Sequence, residues 1–135
     1  MSSFFIQRGK NPVAARKLSI FLLAILVVPI FFATRASNMW TAVLLISMAA
    51  FAHQGYAANI FTIVSDIYPK NAVGSMIGLS GFAGAIGGVL FSGAVGLILE
   101  VTGNYYSIFG FASIAYLLCW LSLKLFVSDK EKVVI

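Results

Sequence analysis

Charged residues are scarce in this sequence. It has nine Lys and Arg and four Asp and Glu among 135 residues, so 10% of the chain is charged, whereas a soluble domain carries about 25%. Hydrophobic residues make up 61% of the chain. Charge is absent altogether from four long stretches, which cover residues 18–34, 36–65, 71–99 and 101–123. This shortage excludes a water-soluble catalytic domain, because little of the chain lies outside the apolar stretches.

Residues for chemistry are equally few. The chain has a single cysteine, Cys119, which excludes a disulfide framework within the chain and a cysteine metal cluster. Its one histidine, His53, has no acidic residue in the same stretch to orient it, and no Ser/His/Asp or metal-ligand spacing occurs. The sequence therefore predicts a protein that is not an enzyme and uses no cofactor and no metal.

Each uncharged stretch is long enough to cross a membrane as a helix, which takes about 20 apolar residues. Inside lipid only helices and closed barrels pair every backbone polar group. The stretches lack the period-two alternation of barrel strands. The sequence predicts an all-α membrane protein whose transmembrane region, residues 18–127, has four helices over residues 18–34, 40–65, 71–99 and 104–126.

The basic residues collect at alternate connections between the stretches. They precede the first stretch, lie between the second and third, or follow the fourth, and the other two connections hold only Arg35. The positive-inside rule then places both termini in the cytoplasm of a multi-pass inner-membrane protein. Residues 1–17 form a cytoplasmic loop and residues 128–135 a cytoplasmic tail in this prediction. Topology and lipid contact account for the net charge of +5, so no nucleic-acid partner is expected. The basic residues in question are Arg8, Lys10, Arg16, Lys17, Lys70, Lys124, Lys130 and Lys132.

The second stretch becomes polar towards its end. It contains His53, Gln54, Tyr56 and Asn59, and an unpaired polar group in hydrocarbon costs about 1 kcal/mol or more. At about 100° per residue, His53, Tyr56 and Asn59 fall on one broad helical face. Two interpretations are open. The face lines a cavity for a hydroxylated or carboxylated solute, or its side chains hydrogen-bond to neighbouring helices.

The third stretch is rich in glycine at three- and four-residue steps. Such spacing leaves a smooth face on which another helix can lie closely, and it also permits the sliding that alternating access requires. The glycines predicted to pack in this way are Gly74, Gly78, Gly84, Gly87 and Gly88.

A turn containing Asp66, Pro69 and Lys70 separates the second and third stretches. Pro69 is predicted to end the second helix, and Asp66 to cap or pair near the start of the third. The turn is interpreted either as a stable connection or as a conformational latch at a cytoplasmic gate.

Proline and asparagine predict further helix boundaries. Pro12 is expected to begin a helix before the first stretch, and Pro29 to kink that helix. Ser37 or Asn38 is expected to cap the second helix.

Three motifs together resemble a known family. They are His53-Gln54 followed by Asn59, the turn Ser65-Asp66-Ile67-Tyr68-Pro69-Lys70, and the glycine-rich run Gly81-Phe82-Ala83-Gly84-Ala85-Ile86-Gly87-Gly88. Residues 52–109 closely resemble the major facilitator superfamily, its anion:cation symporter family and, within that, bacterial hexuronate (glucuronate and galacturonate) transporters. The opening of the chain is similar to the basic loop between helices eight and nine of such transporters.

The resemblance implies that this chain supplies helices nine to twelve, the C-terminal part of a twelve-helix fold that holds its solute between two halves. It implies a proton-coupled symporter for hexuronates or related sugar acids. The chain's partners would then be the lipid bilayer, the sugar-acid anion, the proton and the N-terminal helices of the same transporter. The residues implied to bind solute hydroxyls are His53, Gln54, Tyr56 and Asn59, with Ser80 and Gly81 shaping the facing wall.

The same resemblance implies a chain that is inactive alone. The charged residues that bind the carboxylate and carry the proton would lie in the N-terminal half, and the four stretches contain none to replace them. We accordingly expect that Met1 is an internal start, or that the sequence comes from a truncated gene or an incomplete gene model.

Two other classes of protein remain open from the sequence. One is a non-transporting subunit or remnant of a split permease. The other is a small dimeric four-span exporter, which would depend on an acidic residue in its first span, where this chain has none.

Overall fold

The computed structural model describes residues 2–9 and 11–128, and in them every regular element is helical. The all-α prediction is therefore confirmed for this part of the chain. Of the predicted tail, residues 129–135 lie outside the described residues, as do Met1 and Lys10. The elements are α1 (Ser2–Gln7), α2 (Pro12–Val27), a 3-10 segment (Val28–Arg35), α3 (Met39–Ile67), α4 (Lys70–Thr102) and α5 (Tyr106–Phe126).

Four of these units are long and apolar enough to cross a membrane: α2 continued by the 3-10 segment, then α3, α4 and α5. They occupy the positions of the four predicted spans. Successive units run antiparallel to one another, because each connection between them is short. One end of the bundle therefore carries the start of α2, the turn between α3 and α4, and the end of α5.

Proline and asparagine set the helix boundaries much as predicted. Pro12 is the first residue of α2, where its missing N–H leaves no gap in the helix. The side chain of Asn38 caps α3 by accepting a hydrogen bond from the Thr41 backbone N–H at 2.8 Å. Pro29 changes the helix differently, because the chain tightens into a 3-10 helix from Val28 to Arg35 around it. At the end of α4, Gly103 has φ 63°, the left-handed conformation that ends a helix at little cost in glycine.

The packed part of the molecule consists of α2, α3 and α5. One buried cluster joins α2 and α3, and partly buried side chains of α5, among them Tyr116 and Trp120, pack against it. A second cluster continues the same interface towards the 3-10 segment. The buried members of the first cluster are Ile20, Ala24, Tyr56 and Ile63, and those of the second are Leu23, Val27, Ala49 and Ala52.

A glycine lies at a tight contact between α2 and α3. A Cβ atom added to Gly55 would lie 3.1 Å from Cδ1 of Leu23 and 3.2 Å from its Cδ2. A larger side chain at this position would require the Leu23 side chain to shift by a few tenths of an ångström or more. Gly55 is thus the residue at which small size matters for packing within this chain.

Helix α4 lies largely apart from the packed helices. It contacts α3 and α5 only sparsely, and none of its 33 residues is buried. The five glycines predicted to pack (Gly74, Gly78, Gly84, Gly87 and Gly88) would have no neighbouring atom within 4 Å of an added Cβ. The described residues do not supply a helix that lies closely on this face, so its packing stays a prediction.

Candidate functional site

A cleft of about 550 Å³ opens between α3, α4 and α5. Its polar groups are the imidazole of His53, the two tyrosines Tyr56 and Tyr116, and the thiol of Cys119, and the rest of its wall is apolar. A few polar groups set in an aromatic and aliphatic wall are typical of small-molecule sites. The apolar part of the wall consists of Gly87, Gly88 and Phe91 from α4 and Phe111, Ala112 and Ala115 from α5.

His53 and Tyr116 meet across the cleft. The Nδ1 atom of His53 and the hydroxyl of Tyr116 share a hydrogen bond of 2.7 Å between α3 and α5. Their ring centroids are 6.0 Å apart in an edge-on arrangement. Since one ring nitrogen is engaged, the other nitrogen, Nε2, determines what His53 can offer to a ligand.

Tyr56 lies behind this pair. It is 9% exposed and belongs to the buried cluster of α2 and α3. Its ring packs edge-on against Tyr116 with centroids 5.1 Å apart, and its hydroxyl donates to the backbone carbonyl of Tyr116 at 3.4 Å. Tyr56 therefore packs between helices and also reaches the edge of the cleft, and solute binding at this face stays a prediction.

The other predicted solute-binding residues do not line the cleft. Gln54 is exposed. The Nδ2 atom of Asn59 donates to the carbonyl of Gly55 at 2.7 Å, and its Oδ1 is buried with no hydrogen-bond partner among the described residues. The hydroxyl of Ser80 donates to the carbonyl of Met76 at 2.8 Å, and Gly81 has open space beside it.

An ion pair joins α2 to α3 at the end of the bundle where α2 begins. The guanidinium of Arg16 donates from Nε to Oδ2 of Asp66 and, at 3.4 Å, from Nη2 to Oδ1. Its Nη1 also donates to the hydroxyl of Ser2 at 3.3 Å. Asp66 was expected to cap or pair near the start of α4. In the described chain it does not cap α4, which begins without a side-chain cap, and its carboxylate pairs with Arg16 of α2.

The remainder of the predicted turn forms the start of α4. Pro69 precedes the helix, and its carbonyl accepts hydrogen bonds from the backbone N–H groups of Ala72 and Val73 at 2.8 and 3.2 Å. Lys70 is the first residue of α4 and is exposed. Asp66 is thus tied to α2, whereas Lys70 extends from the next helix.

The end of α5 is fastened to the start of α2 nearby. The indole Nε1 of Trp120 donates to the carbonyl of Lys17 at 3.0 Å, and the ammonium of Lys17 donates to the carbonyl of Val127. The ring centroids of Trp120 and Phe21 are 4.4 Å apart. Together with the ion pair, these bonds hold α2, α3 and α5 at one end.

Sequence reasoning missed the contribution of α5. Tyr116, Phe111 and Cys119 lie in a stretch that reads as uniformly apolar, and only the structure brings them to His53. A signal was present, because Tyr116 lies in the middle of its stretch, away from the membrane interfaces where tyrosine is common. Gly87 and Gly88, predicted to pack against a helix, form one wall of the cleft.

The described residues, 2–9 and 11–128, contain no group of three or more His, Cys, Asp or Glu side chains that could hold a metal ion.

Comparison with known proteins decides the family. The sequence profile described as Major Facilitator Superfamily matches residues 11–134, most of the chain. The chain belongs to the major facilitator superfamily. This membership confirms the resemblance carried by the three motifs, and it makes the chain a multi-pass membrane protein of a transporter family. Family and relatives point to a transporter, not an enzyme.

Two curated relatives illustrate the relationship. The chain is 28% identical over 95 residues to the hexuronate transporter of Escherichia coli (strain K12), which covers 70% of this chain and 22% of that protein. It is 26% identical over 135 residues to a probable galactarate/D-glucarate transporter of Bacillus subtilis (strain 168), which covers 100% of this chain and 30% of that protein. The chain thus spans less than a third of the length of either relative. No solved structure matches it.

Proposed function

We propose that this chain forms the C-terminal four helices of a proton-coupled symporter for hexuronates or related sugar acids. The observation that carries the proposal is the cleft in which His53 and Tyr56 face α4, a helix with no buried residue. The superfamily match and the names of both relatives support a sugar-acid transporter. In this proposal the solute lies where α3 and α4 meet helices from the rest of the transporter.

The polar residues of α3 would bind the hydroxyl groups of the solute. His53 and Tyr56 already lie at the cleft. Gln54 is exposed, and the buried Oδ1 of Asn59 has no partner among the described residues. An unpaired buried acceptor costs about 1–3 kcal/mol, so Asn59 is suited to receive a donor from a solute or from a further helix. Ser80 and Gly81 would shape the opposite wall.

Charge would come from outside this chain. The stretches 18–34, 36–65, 71–99 and 101–123 contain no Asp, Glu, Lys or Arg. A cation to bind the solute carboxylate and an acid to carry the proton would therefore be supplied by the remaining helices. The chain alone is accordingly inactive in this proposal.

The orientation follows from the end at which the cations lie. Among the described residues, Arg16, Lys17, Lys70 and Lys124 lie at one end, and Arg35 lies at the other. In this proposal the first end, and with it both termini, faces the cytoplasm of an inner-membrane protein, in agreement with the positive-inside rule.

The Arg16–Asp66 pair would act as a latch at this cytoplasmic end. It holds α2 to α3 directly before Pro69 and Lys70 lead into α4. Movement of α4 relative to the packed helices would strain the turn between α3 and α4, which lies beside this pair. The alternative, a turn that is stable throughout transport, predicts that breaking the pair changes stability and leaves the transport rate unchanged.

Uptake kinetics test the proposal. Radiolabelled glucuronate uptake would be measured for the complete transporter that contains this chain, expressed in a strain without other hexuronate uptake. We expect Gln54→Ala and Asn59→Ala each to raise the apparent KM about tenfold, equivalent to about 1.4 kcal/mol of lost binding. Membrane insertion should be unchanged, and Ser122→Ala, on the exposed face of α5, serves as the matched control.

Two results would count against this account. Wild-type KM values for both variants would remove Gln54 and Asn59 from the solute site. Uptake by the 135-residue chain alone would contradict the inactivity proposed for it.

A further inference from the structure

We propose that Tyr116 is a positioning residue for His53, so that α5 takes part in solute recognition through it. The inference rests on the proposed function, because it concerns how the same site presents His53 to the solute. It goes beyond that function by adding a residue and a helix that no motif in the sequence marks.

The first argument is geometric. Tyr116 holds His53 through a hydrogen bond of 2.7 Å to Nδ1, an ordinary length for a full hydrogen bond. His53 is exposed, so packing alone does not determine the angle of its ring. The bond to Tyr116 is the interaction that fixes it among the described residues.

The second argument is that Tyr116 is itself held. Its ring lies edge-on to Tyr56, with centroids 5.1 Å apart, and its backbone carbonyl accepts the Tyr56 hydroxyl. Tyr56 in turn lies in the buried cluster with Ile20 and Ala24 of α2. A rigid core therefore reaches, through Tyr56 and Tyr116, to the ring of His53.

The consequence concerns the free nitrogen. When the Tyr116 hydroxyl donates to Nδ1, the neutral imidazole carries its proton on Nε2. When His53 is protonated, Nδ1–H donates to Tyr116 and Nε2 still carries a proton. In both charge states His53 then presents an N–H donor at Nε2, which fits an oxygen acceptor of the solute, a hydroxyl or carboxylate oxygen.

The surroundings of His53 support this assignment. The titratable groups that face it in the cleft are Tyr116 and Cys119 of α5 and Tyr56 of its own helix, and α4 contributes only Gly87, Gly88 and Phe91. No described carboxylate or cation lies in the cleft, and Nδ1 of His53 is the acceptor that the described residues offer to the Tyr116 hydroxyl proton, so we assign the neutral ring the tautomer with its proton on Nε2.

The single histidine of the chain allows a direct test. The protein would be labelled with ¹⁵N-histidine in lipid bilayers, and the two ring nitrogens observed in the wild type, Tyr116→Phe and Tyr106→Phe. We expect the wild type and Tyr106→Phe to show one tautomer, protonated at Nε2, with Nδ1 shifted by an accepted hydrogen bond. Tyr116→Phe keeps the ring and its packing but should show an unbonded Nδ1 and an exchange-averaged signal. Identical spectra for all three proteins would overturn the positioning role.

Uptake by the complete transporter supplies the second readout. We expect Tyr116→Phe to raise KM about threefold to tenfold with the maximal rate unchanged, and His53→Gln to raise it at least as much. The double variant should raise KM no further than His53→Gln alone, because Tyr116 acts through His53. Additive effects would contradict this dependence.

The two readouts separate the two proposals. The spectra need no transport, so they decide the His53–Tyr116 pair even if no sugar acid is carried. If Tyr116→Phe altered the spectrum but kept the wild-type KM, the proposal that α5 takes part in solute recognition would be overturned. The proposed function would then be judged by Gln54→Ala and Asn59→Ala.

Discussion

Helix α4 and the packed helix α3 differ in burial in the opposite sense to their hydropathy. Helix α4 is the more apolar of the two and none of its residues is buried, whereas Ala49, Ala52, Tyr56 and Ile63 of α3 are buried. Lipid is as apolar as a leucine side chain, so hydropathy drives a helix into the membrane without driving it against another helix. Packing is set instead by shape and by a few polar bonds, and in this molecule these lie between α2, α3 and α5.

The two tryptophans offer the largest test of this difference. Trp120 bonds to the Lys17 carbonyl and packs on Phe21, whereas Trp40 is 70% exposed. We expect Trp120→Ala to lower the free energy of unfolding by about 3 kcal/mol and Trp40→Ala by less than about 0.5 kcal/mol. Unfolding in mixed micelles of rising dodecyl sulfate content would measure both. Equal losses would mean that α5 is not fastened to α2 as described.

Glycines in the two regions provide the next test. Gly55→Leu would force overlap with Leu23 and should cost about 1–3 kcal/mol. Gly84→Leu meets only open space in this chain and should leave its stability within about 0.5 kcal/mol of the wild type. In the complete transporter we expect Gly84→Leu to become destabilising as well. A harmless Gly84→Leu there would contradict the proposed covering of α4.

The ion pair at the cytoplasmic end should show energetic coupling. Arg16→Ala and Asp66→Ala are each expected to cost about 1.5–3 kcal/mol, since each removes a hydrogen bond between charged groups. The double variant should cost less than their sum, with a coupling of about 1 kcal/mol. Lys70→Ala, on exposed α4, is the control and should be neutral. Additive losses in the double-mutant cycle would show that the pair contributes no coupling.

Helix caps give the smallest expected effect. The Asn38 side chain caps α3, while α4 begins without a side-chain cap. Asn38→Ala should therefore cost about 1 kcal/mol, and Asn71→Ala, in the first turn of α4, close to nothing. The same unfolding measurement distinguishes them, and a neutral Asn38→Ala would show that the cap is dispensable.

Much of the fold could be predicted because it depends on local chemistry. Long uncharged stretches indicate helices in lipid, and the boundaries at Pro12 and Asn38 follow from which residues can begin a helix. Packing partners could not be predicted in the same way. Gly55 and the glycines of α4 have the same chemistry, and only the position of a neighbouring helix separates them.

Part of the candidate site could be predicted because it, too, depends on local chemistry. His53 and Tyr56 are polar residues in an apolar stretch, which marks them from sequence alone. Tyr116 lies 63 residues after His53, and Arg16, the partner of Asp66, lies 50 residues before it. Such pairs depend on how helices are arranged, which a single sequence does not specify.

Oxygen accessibility along α4 is the most direct measure of whether other helices cover it. Residues 79–90 would be replaced one at a time by cysteine in a Cys119→Ser background, labelled with a nitroxide, and examined in bilayers by electron paramagnetic resonance. For the 135-residue chain alone we predict high oxygen accessibility at every position. In the complete transporter we predict a drop with a period of about 3.6 residues, lowest on the glycine face. The same high accessibility in both proteins would contradict the account.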